Sequence, residues 1–367
     1  MNRMENLLCI AGGGTGGHVF PALALADIAR RHWPHLQVSF IGVERGLESR
    51  LLPERGEAVL FLTMHSVQGA GFVQRLRVLV WELPRAVLHI WKHWRAARPR
   101  LVVGVGGYAS VAGVVAAILR RIPVVLYEQN AVPGLVNRKL ARFCQGILLG
   151  FAEAADGLPR NKCRHTGNLV PQAIREVHWQ PHTPPGLIVL GGSQGAKFLN
   201  ETVPASCRIL KQAGHIFTVT HVAGEGAGRV ETIAKTYRDA GIDAEVIDFC
   251  HDMPGLYVKG DLMIARAGAM SVSEAAVVGM PTVFVPLPSA ADDHQRHNAR
   301  SLASLGAAVI IDQKNGDASV LASEIEKLLF DAKRLKAMSE AAVKSVPEQG
   351  EKKMLDMLGT WLGTGMK

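Results

Sequence analysis

Cysteine is scarce in this sequence and does not pair. There are five in 367 residues (Cys9, Cys144, Cys163, Cys207, Cys250), with no C-x-x-C and no paired spacing. That excludes a disulfide scaffold and a structural zinc site, and it fits a reducing compartment. No basic stretch leads into an apolar run ahead of the first strand, so a secretory signal is not expected. Uninterrupted hydrophobic length is missing as well. Residues 101–119 carry no charge and approach membrane-spanning length, but Gly104, Gly106, Gly107, Tyr108, Ser110 and Gly113 divide them into a strand, a loop and a helix. Acidic residues are sparse in the first half: residues 1–166 hold 21 Lys+Arg against 10 Asp+Glu, net +11, whereas the rest hold 20 against 22, net −2. A basic half suits nucleic acid, an anionic membrane surface or a phosphorylated acceptor. With no zinc-finger, RNA-recognition or helix-turn-helix pattern beside it, nucleic acid is the least supported of the three.

What is present is glycine, placed at strand ends. Leu7 to Ile10 form an apolar strand that runs into Gly13-Gly14-Thr15-Gly16-Gly17-His18, and a helical pattern continues from Val19. Strand, glycine loop and helix make an anion site, because main-chain N–H groups can approach a phosphate and the helix start adds unsatisfied donors. His18 falls at that positive helix end, which favours a neutral imidazole able to take a proton. Gly12, Gly14 and Gly17 also satisfy G-x-G-x-x-G, and Glu44 follows the next strand, so an NAD-dependent dinucleotide fold is a rival reading.

The length predicts two domains, each with its own core. Apolar strands alternate with helical stretches, the pattern of an α/β, doubly wound, mostly parallel sheet. Residues 72–98 mix Leu76, Leu79, Val80, Val87, Ile90, Trp91 and Trp94 with Arg75, Arg77, Arg85, Lys92 and Arg95. Two readings stay open there: an interfacial helix with exposed tryptophans among lipid headgroups, or an ordinary amphipathic helix on the sheet. A strand at residues 102–105 leads to Gly106-Gly107-Tyr108, and another at 124–127 leads to Glu128-Gln129-Asn130. Acid and amides at a strand end suit sugar hydroxyls. A second strand, glycine loop and helix starts at Leu187 with Gly191-Gly192-Ser193-Gln194-Gly195-Ala196, after a proline-rich linker over 168–185. Further on, a helix starting near Gly268 to Met270 offers N–H donors to a diphosphate, and Glu274, one turn in, can chelate a ribose diol. His294, His297, Asp292 and Asp293 match no familiar metal-ligand spacing, so hydrogen bonding to a sugar is preferred.

Taken in order, Gly13 to His18, Gly106-Gly107-Tyr108, Glu128-Gln129-Asn130, Gly191 to Ala196, Phe249-x-x-Asp252-Met253, Gly268-Ala269 with Glu274, and Asp293-His294-Gln295-x-x-Asn298-Ala299 resemble glycosyltransferase family 28, in particular its peptidoglycan N-acetylglucosaminyltransferases. The resemblance covers almost the whole chain. It implies a GT-B fold, with two Rossmann-like domains facing across a cleft. Residues 1–166 would form an acceptor and membrane-facing domain and residues 167–367 a UDP-GlcNAc domain, the final helix packing back on the first. It further implies inverting transfer of GlcNAc from UDP-GlcNAc to the C4 hydroxyl of MurNAc in lipid I, giving lipid II and UDP. The expected location is the cytoplasmic face of the anionic inner membrane, with cell-wall synthesis and division proteins as partners and no nucleic acid. A non-catalytic sugar-nucleotide sensor on the membrane is the other reading.

Residue by residue, the resemblance makes His18 the candidate base, with Glu128 and Tyr108 as sharers of that role. Asn130 and Gln295 would hold GlcNAc hydroxyls. Ser193 and the main chain at Ala269 and Met270 would contact the diphosphate, Glu274 the ribose and the main chain at Cys250 the uracil. Thr15, Gly16, Gly17, Asn137, Ser271, Val272 and Ser273 complete the substrate-binding positions. No D-x-D motif is present, in keeping with a fold of this type that needs no cofactor or bound metal for UDP departure. Three departures stand out. Pro171 replaces an expected arginine, for which Arg175 could substitute; Tyr127 stands where histidine is common; and Ala267 and Ser271 replace a serine and a threonine.

Overall fold

The structure is a computed structural model, and it describes residues 6–14, 16–65, 71–192 and 195–363. The chain divides into two compact units: residues 1–169 with 347–367, and residues 170–346.

In the first unit the strands are β1 (Leu7–Ala11), β2 (Gln37–Val43), β3 (Ala58–Leu62), β4 (Leu101–Gly104), β5 (Val124–Glu128), β6 (Gly146–Leu149) and β7 (Cys163–His165). All described pairings are parallel, in the order β3-β2-β1-β4-β5-β6-β7, so the sheet is wound in both directions from β1 and β4. Its helices are α1 (Gly16–His32), α2 (Glu48–Glu54), α3 (Phe72–Arg77), α4 (Leu83–His93), α5 (Tyr108–Leu119) and α6 (Leu135–Leu140). Alternation along the strands fills both faces. Leu8, Ile10, Val103 and Val125 pack with α1, whereas Cys9, Ala11, Val102 and Val124 pack with α4 and α5. This is why the strands read as continuous apolar runs instead of alternating ones.

The second unit repeats the plan with β8 (Gly186–Leu190), β9 (Thr218–Val222), β10 (Asp243–Ile247), β11 (Leu262–Ala265), β12 (Thr282–Phe284) and β13 (Ala308–Ile310), parallel in the order β10-β9-β8-β11-β12-β13. Its helices are α7 (Gln172–Arg175), α8 (Lys197–Gln212), α9 (Arg229–Asp239), α10 (Met253–Val258), α11 (Ala269–Val278), α12 (His294–Ala303), α13 (Ala318–Leu329) and α14 (Ala332–Lys344). The last helix, α15 (Gly350–Leu362), lies in the first unit, where Met354, Leu358 and Leu362 enter the core with α1 and β1. In both sheets the order reverses beside the first strand of the unit, and open α/β sheets bind ligands at the carboxyl ends next to such a reversal.

Of the two readings left open for 72–98, the burial of Val87, Ile90 and Trp94 is that of an amphipathic helix on the sheet, and the tryptophans named in the interfacial reading are not exposed. Between α3 and α4 the chain makes a π-helical turn, Val78–Glu82, where the hydrogen-bond spacing widens and the helical register slips. Trp94 is core at 2% exposure, with Val87 and Ile90, and Trp91 is half-buried, its indole N–H donating to Ala116 O at 3.1 Å. The exposed side chains are Leu76, Leu79, Val80, Leu88 and Trp81, the last at 60% exposure with the Arg85 guanidinium 5.7 Å from its ring. Apolar exposure therefore concentrates at the π turn.

Candidate active site

The first constellation sits at the carboxyl ends of β1, β4 and β5. Two glycine turns interlock there: Gly13 N donates to Gly106 O at 3.3 Å and Gly12 N to Ile41 O at 3.0 Å. Gly107 has φ +81°, and a Cβ on it would stand 2.2 Å from Gly13 O; one on Gly106, at φ +95°, would stand 2.6 Å from Cε1 of His18. Hydrogen is the only substituent these positions accept.

His18 is the third residue of α1, whose first turn contains no acid. Its Nδ1 is sealed from solvent with no hydrogen-bond partner among the described residues. Burial is the largest influence on the ring and lowers its pKa from 6.5; the carboxylates of Glu128 and Glu48, the Gln129 side chain and the Val105 carbonyl oppose that without reversing it. At neutral pH the imidazole is uncharged and can accept a proton. Glu128 ends β5 and is saturated. It accepts from Asn130 N (3.0 Å), Asn130 Nδ2 (3.4 Å), Gly134 N (2.9 Å) and Asn137 Nδ2 (2.8 Å). A carboxylate holding four donors serves as an anchor and a source of field more readily than as a mobile base. Asn137 is accordingly buried with its amide nitrogen turned to Glu128. Gln129 donates to Val105 O at 3.0 Å and leaves its amide oxygen buried without a partner among the described residues. Tyr108 is half-buried at the first position of α5.

Tyr127 and Asn168 hold this end of the sheet together. The phenol donates to Asn168 Oδ1 at 3.1 Å and accepts from Leu169 N at 2.8 Å, and Asn168 Nδ2 donates to Gln129 O at 2.9 Å. Burial pushes the Tyr127 phenol far above its usual range. It is a neutral structural strut.

The second constellation surrounds the start of α11. Gly268 is extended ahead of it, no acid occupies its first turn, and its first hydrogen bond inside the turn is Val272 N to Gly268 O at 3.0 Å. The N–H groups of Ala269, Met270 and Ser271 are those a helix cannot satisfy internally. Val272 and Ser273 are buried in the following turn. Glu274 accepts from the Tyr257 hydroxyl at 2.7 Å, and burial raises its pKa to about 7, the tyrosine bond holding it down. Gln295, second in α12, accepts from Leu287 N at 3.0 Å, and Asn298 Nδ2 donates to Ala267 O at 3.2 Å. Cys250 Sγ lies 3.2 Å from Asp252 O, and Asp252 caps α10 through Gly255 N at 3.0 Å. Asp293 pairs with Arg296 at 3.0 Å, and His294 Nδ1 lies 2.7 Å from Ala291 O. Arg175 ends α7, which packs against α11.

Within the first unit the structure thus brings Gly16, Gly17, His18, Tyr108, Glu128, Asn130 and Asn137 to one strand-end region, and within the second Cys250, Ala269 to Glu274 and Gln295. Thr15 and Ser193 lie outside the described residues. Sequence reasoning missed Glu48 and Arg266. Glu48 is buried beneath the first glycine loop. Arg266 donates to Val285 O (2.9 Å), Pro286 O (3.3 Å) and Gln313 Oε1 (2.8 Å), bracing the ends of β11 and β12. A lone arginine directly after a buried strand was the available signal for the second; none marked the first.

Residues 8–149 match the profile of the glycosyltransferase family 28 N-terminal domain, and residues 186–354 that of the family 28 C-terminal domain. The chain belongs to glycosyltransferase family 28. A curated relative from Anaeromyxobacter sp. (strain Fw109-5), named a UDP-N-acetylglucosamine--N-acetylmuramyl-(pentapeptide) pyrophosphoryl-undecaprenol N-acetylglucosamine transferase, is 40% identical over 354 residues, 95% of this chain and 92% of that protein. One of the same name from Magnetococcus marinus is 38% identical over 93% of this chain and 94% of its own. Among solved structures, the crystal structure of MurG from Acinetobacter baumannii superposes with a TM-score of 0.78 at 31% identity, covering 97% of this chain and 99% of that one. A calicheamicin glycosyltransferase at 16% identity, TM-score 0.68, shares the fold alone. Family 28 membership and the GT-B fold are therefore established, and the dinucleotide reading built on Gly12, Gly14, Gly17 and Glu44 loses its support. Glu44 itself accepts from Thr63 Oγ1 at 3.1 Å.

Proposed function

We propose that this glycosyltransferase moves N-acetylglucosamine from UDP-N-acetylglucosamine to the C4 hydroxyl of the N-acetylmuramyl unit of a pyrophosphoryl-undecaprenol-linked acceptor, releasing UDP with inversion. The observation that carries the reading is 40% identity over 95% of the chain to relatives named for this transfer. In the step, the acceptor hydroxyl gives its proton to His18, its oxygen bonds to the anomeric carbon and the bond from that carbon to the UDP oxygen breaks. The neutral, partly covered imidazole supports the base role. Glu128, saturated by main-chain and amide donors, stabilises the imidazolium electrostatically as it forms. The start of α11 meets the charge that develops on the leaving diphosphate, with Glu274 on the ribose and Gln295 and Asn130 on the sugar.

The acceptor is lipid-linked, so the first unit meets a membrane surface peripherally. Among the described residues no helix is long and apolar enough to cross a membrane. Support for a peripheral contact comes from exposed Leu76, Leu79, Val80, Trp81 and Leu88 beside Arg77 and Arg85.

The test is UDP release from UDP-N-acetylglucosamine with and without a soluble lipid-linked acceptor analogue, beside UDP-N-acetylgalactosamine. Acceptor-dependent release specific to the first donor is expected. Equal release without acceptor, or none in protein that binds UDP, would refute the reading.

A further inference from the structure

We propose that Glu48 is a positioning residue for the transfer: its carboxylate clamps the first glycine loop to the end of β2 and so fixes His18. Glu48 is the first residue of α2 and has 0% exposure. Oε2 accepts from Gly14 N at 2.7 Å and Oε1 from Val43 N at 3.0 Å, so one side chain ties the β1 loop to β2. The surroundings are cut to its shape. A Cβ on Gly13 or Gly46 would stand 2.2 Å from its carboxylate oxygens, and one on Gly42 would stand 2.6 Å from its Cγ. Among the described residues no Lys or Arg pairs with it. Main-chain N–H groups and the start of α2 are its compensation.

A carboxylate buried without a cation is costly, and an apolar side chain would fill the same volume at lower cost. What only the anion supplies is a directed acceptor for the loop N–H groups. The consequence for the site is specific. The Gly14 N–H, which a phosphate-binding loop would turn outward, is taken from the interior. Ligand contact from this loop then falls to the N–H groups at the start of α1, one turn from the imidazole. Clamping Gly14 also sets where α1 begins, and with it the depth of the His18 ring against Gly106. The proposal rests on the reading of His18 as proton acceptor.

Glu48→Gln in the full chain tests it, because the amide keeps the volume but gives one of the two N–H groups a donor to face. Expected are a kcat lowered about 10- to 100-fold, unchanged UDP affinity in the second unit, and an acid limb of the pH profile moved to lower pH. That direction follows because the Glu48 charge, like that of Glu128 at the end of β5, raises the His18 pKa. A merely structural role would lower thermal stability without moving the limb. Unchanged kcat and limb in folded Glu48→Gln overturn the proposal. If that variant does not fold, Glu48→Asp, which keeps the charge but withdraws it by one methylene, should lose kcat with the limb in place; full activity there overturns it equally. His18→Ala with undiminished turnover would instead overturn the base assignment, a result distinguishable from either.

Discussion

The helix starts that follow β1 in the first unit and β11 in the second both open at the carboxyl end of a strand beside the point where the sheet order reverses, but they are finished differently. In the first unit the loop is closed from within: Glu48 takes the Gly14 N–H, Glu128 takes four donors, and the His18 ring is wedged against Gly106. In the second, α11 begins with no acid in its first turn, and Glu274 keeps a pKa of about 7 under the hydroxyl of Tyr257. A proton acceptor must be held neutral at fixed geometry, which calls for buried polar bracing. A diphosphate brings its own charge, which calls for unspent N–H donors. On the roles proposed above, two helix starts would serve two chemistries according to whether the protein satisfies their donors itself.

The comparison breaks most visibly if the proposed base is removed. His18→Ala should lower kcat by about 10²- to 10⁴-fold while leaving UDP binding intact, measured by acceptor-dependent UDP release and by titration with UDP. In the wild type the acid limb of kcat should fall below pH 6.5, because burial lowers the His18 pKa; a limb above that value would contradict the assignment. Next in size comes Trp94→Ala, which empties a core position and should cost about 3–5 kcal/mol of stability without a selective effect on vesicle binding. Denaturant unfolding and sedimentation with anionic vesicles separate the two readouts.

On the donor side, Glu274→Ala should weaken UDP-sugar binding by roughly 10- to 100-fold, the size of losing hydrogen bonds to a charged group. The sign with pH is defined: the carboxyl titrates near 7, and only its ionised form accepts both ribose hydroxyls. Wild-type donor affinity should therefore rise from pH 6 to 8, and that slope should vanish in the variant. The smallest effect belongs to the surface. Trp81→Ala with Leu79→Ala should reduce binding to anionic vesicles about 10-fold or more by removing exposed apolar area, with kcat on a soluble acceptor unchanged. Unaltered sedimentation would show that the π turn does not meet lipid.

Much of the architecture was legible because buried parallel strands are short apolar runs ending in glycine. β1, β4, β5 and β8 emerged within a residue or two. The π turn left no mark in residues 72–98: a one-residue change in helical register alters which side chains share a face without altering composition. That is why the sequence left Trp91 and Trp94 open between core and interface and did not single out Trp81. His18, Glu128 and Glu274 could be picked out because a lone titratable group beside a glycine turn is chemically conspicuous. Glu48 could not, because an acid in the first turn of a helix is ordinary and its partners are main-chain atoms 5 and 34 residues away.

By itself the sequence determined the α/β class, the two strand-loop-helix openings and, through their ordered motifs, the family, because these follow from local apolar runs and from glycine at strand ends. Tertiary structure alone decided that Trp94 is buried while Trp81 is not, and that Glu48 closes the loop beneath His18. Each of these depends on which distant main-chain and side-chain atoms meet once the sheet is assembled, and no local pattern encodes such meetings.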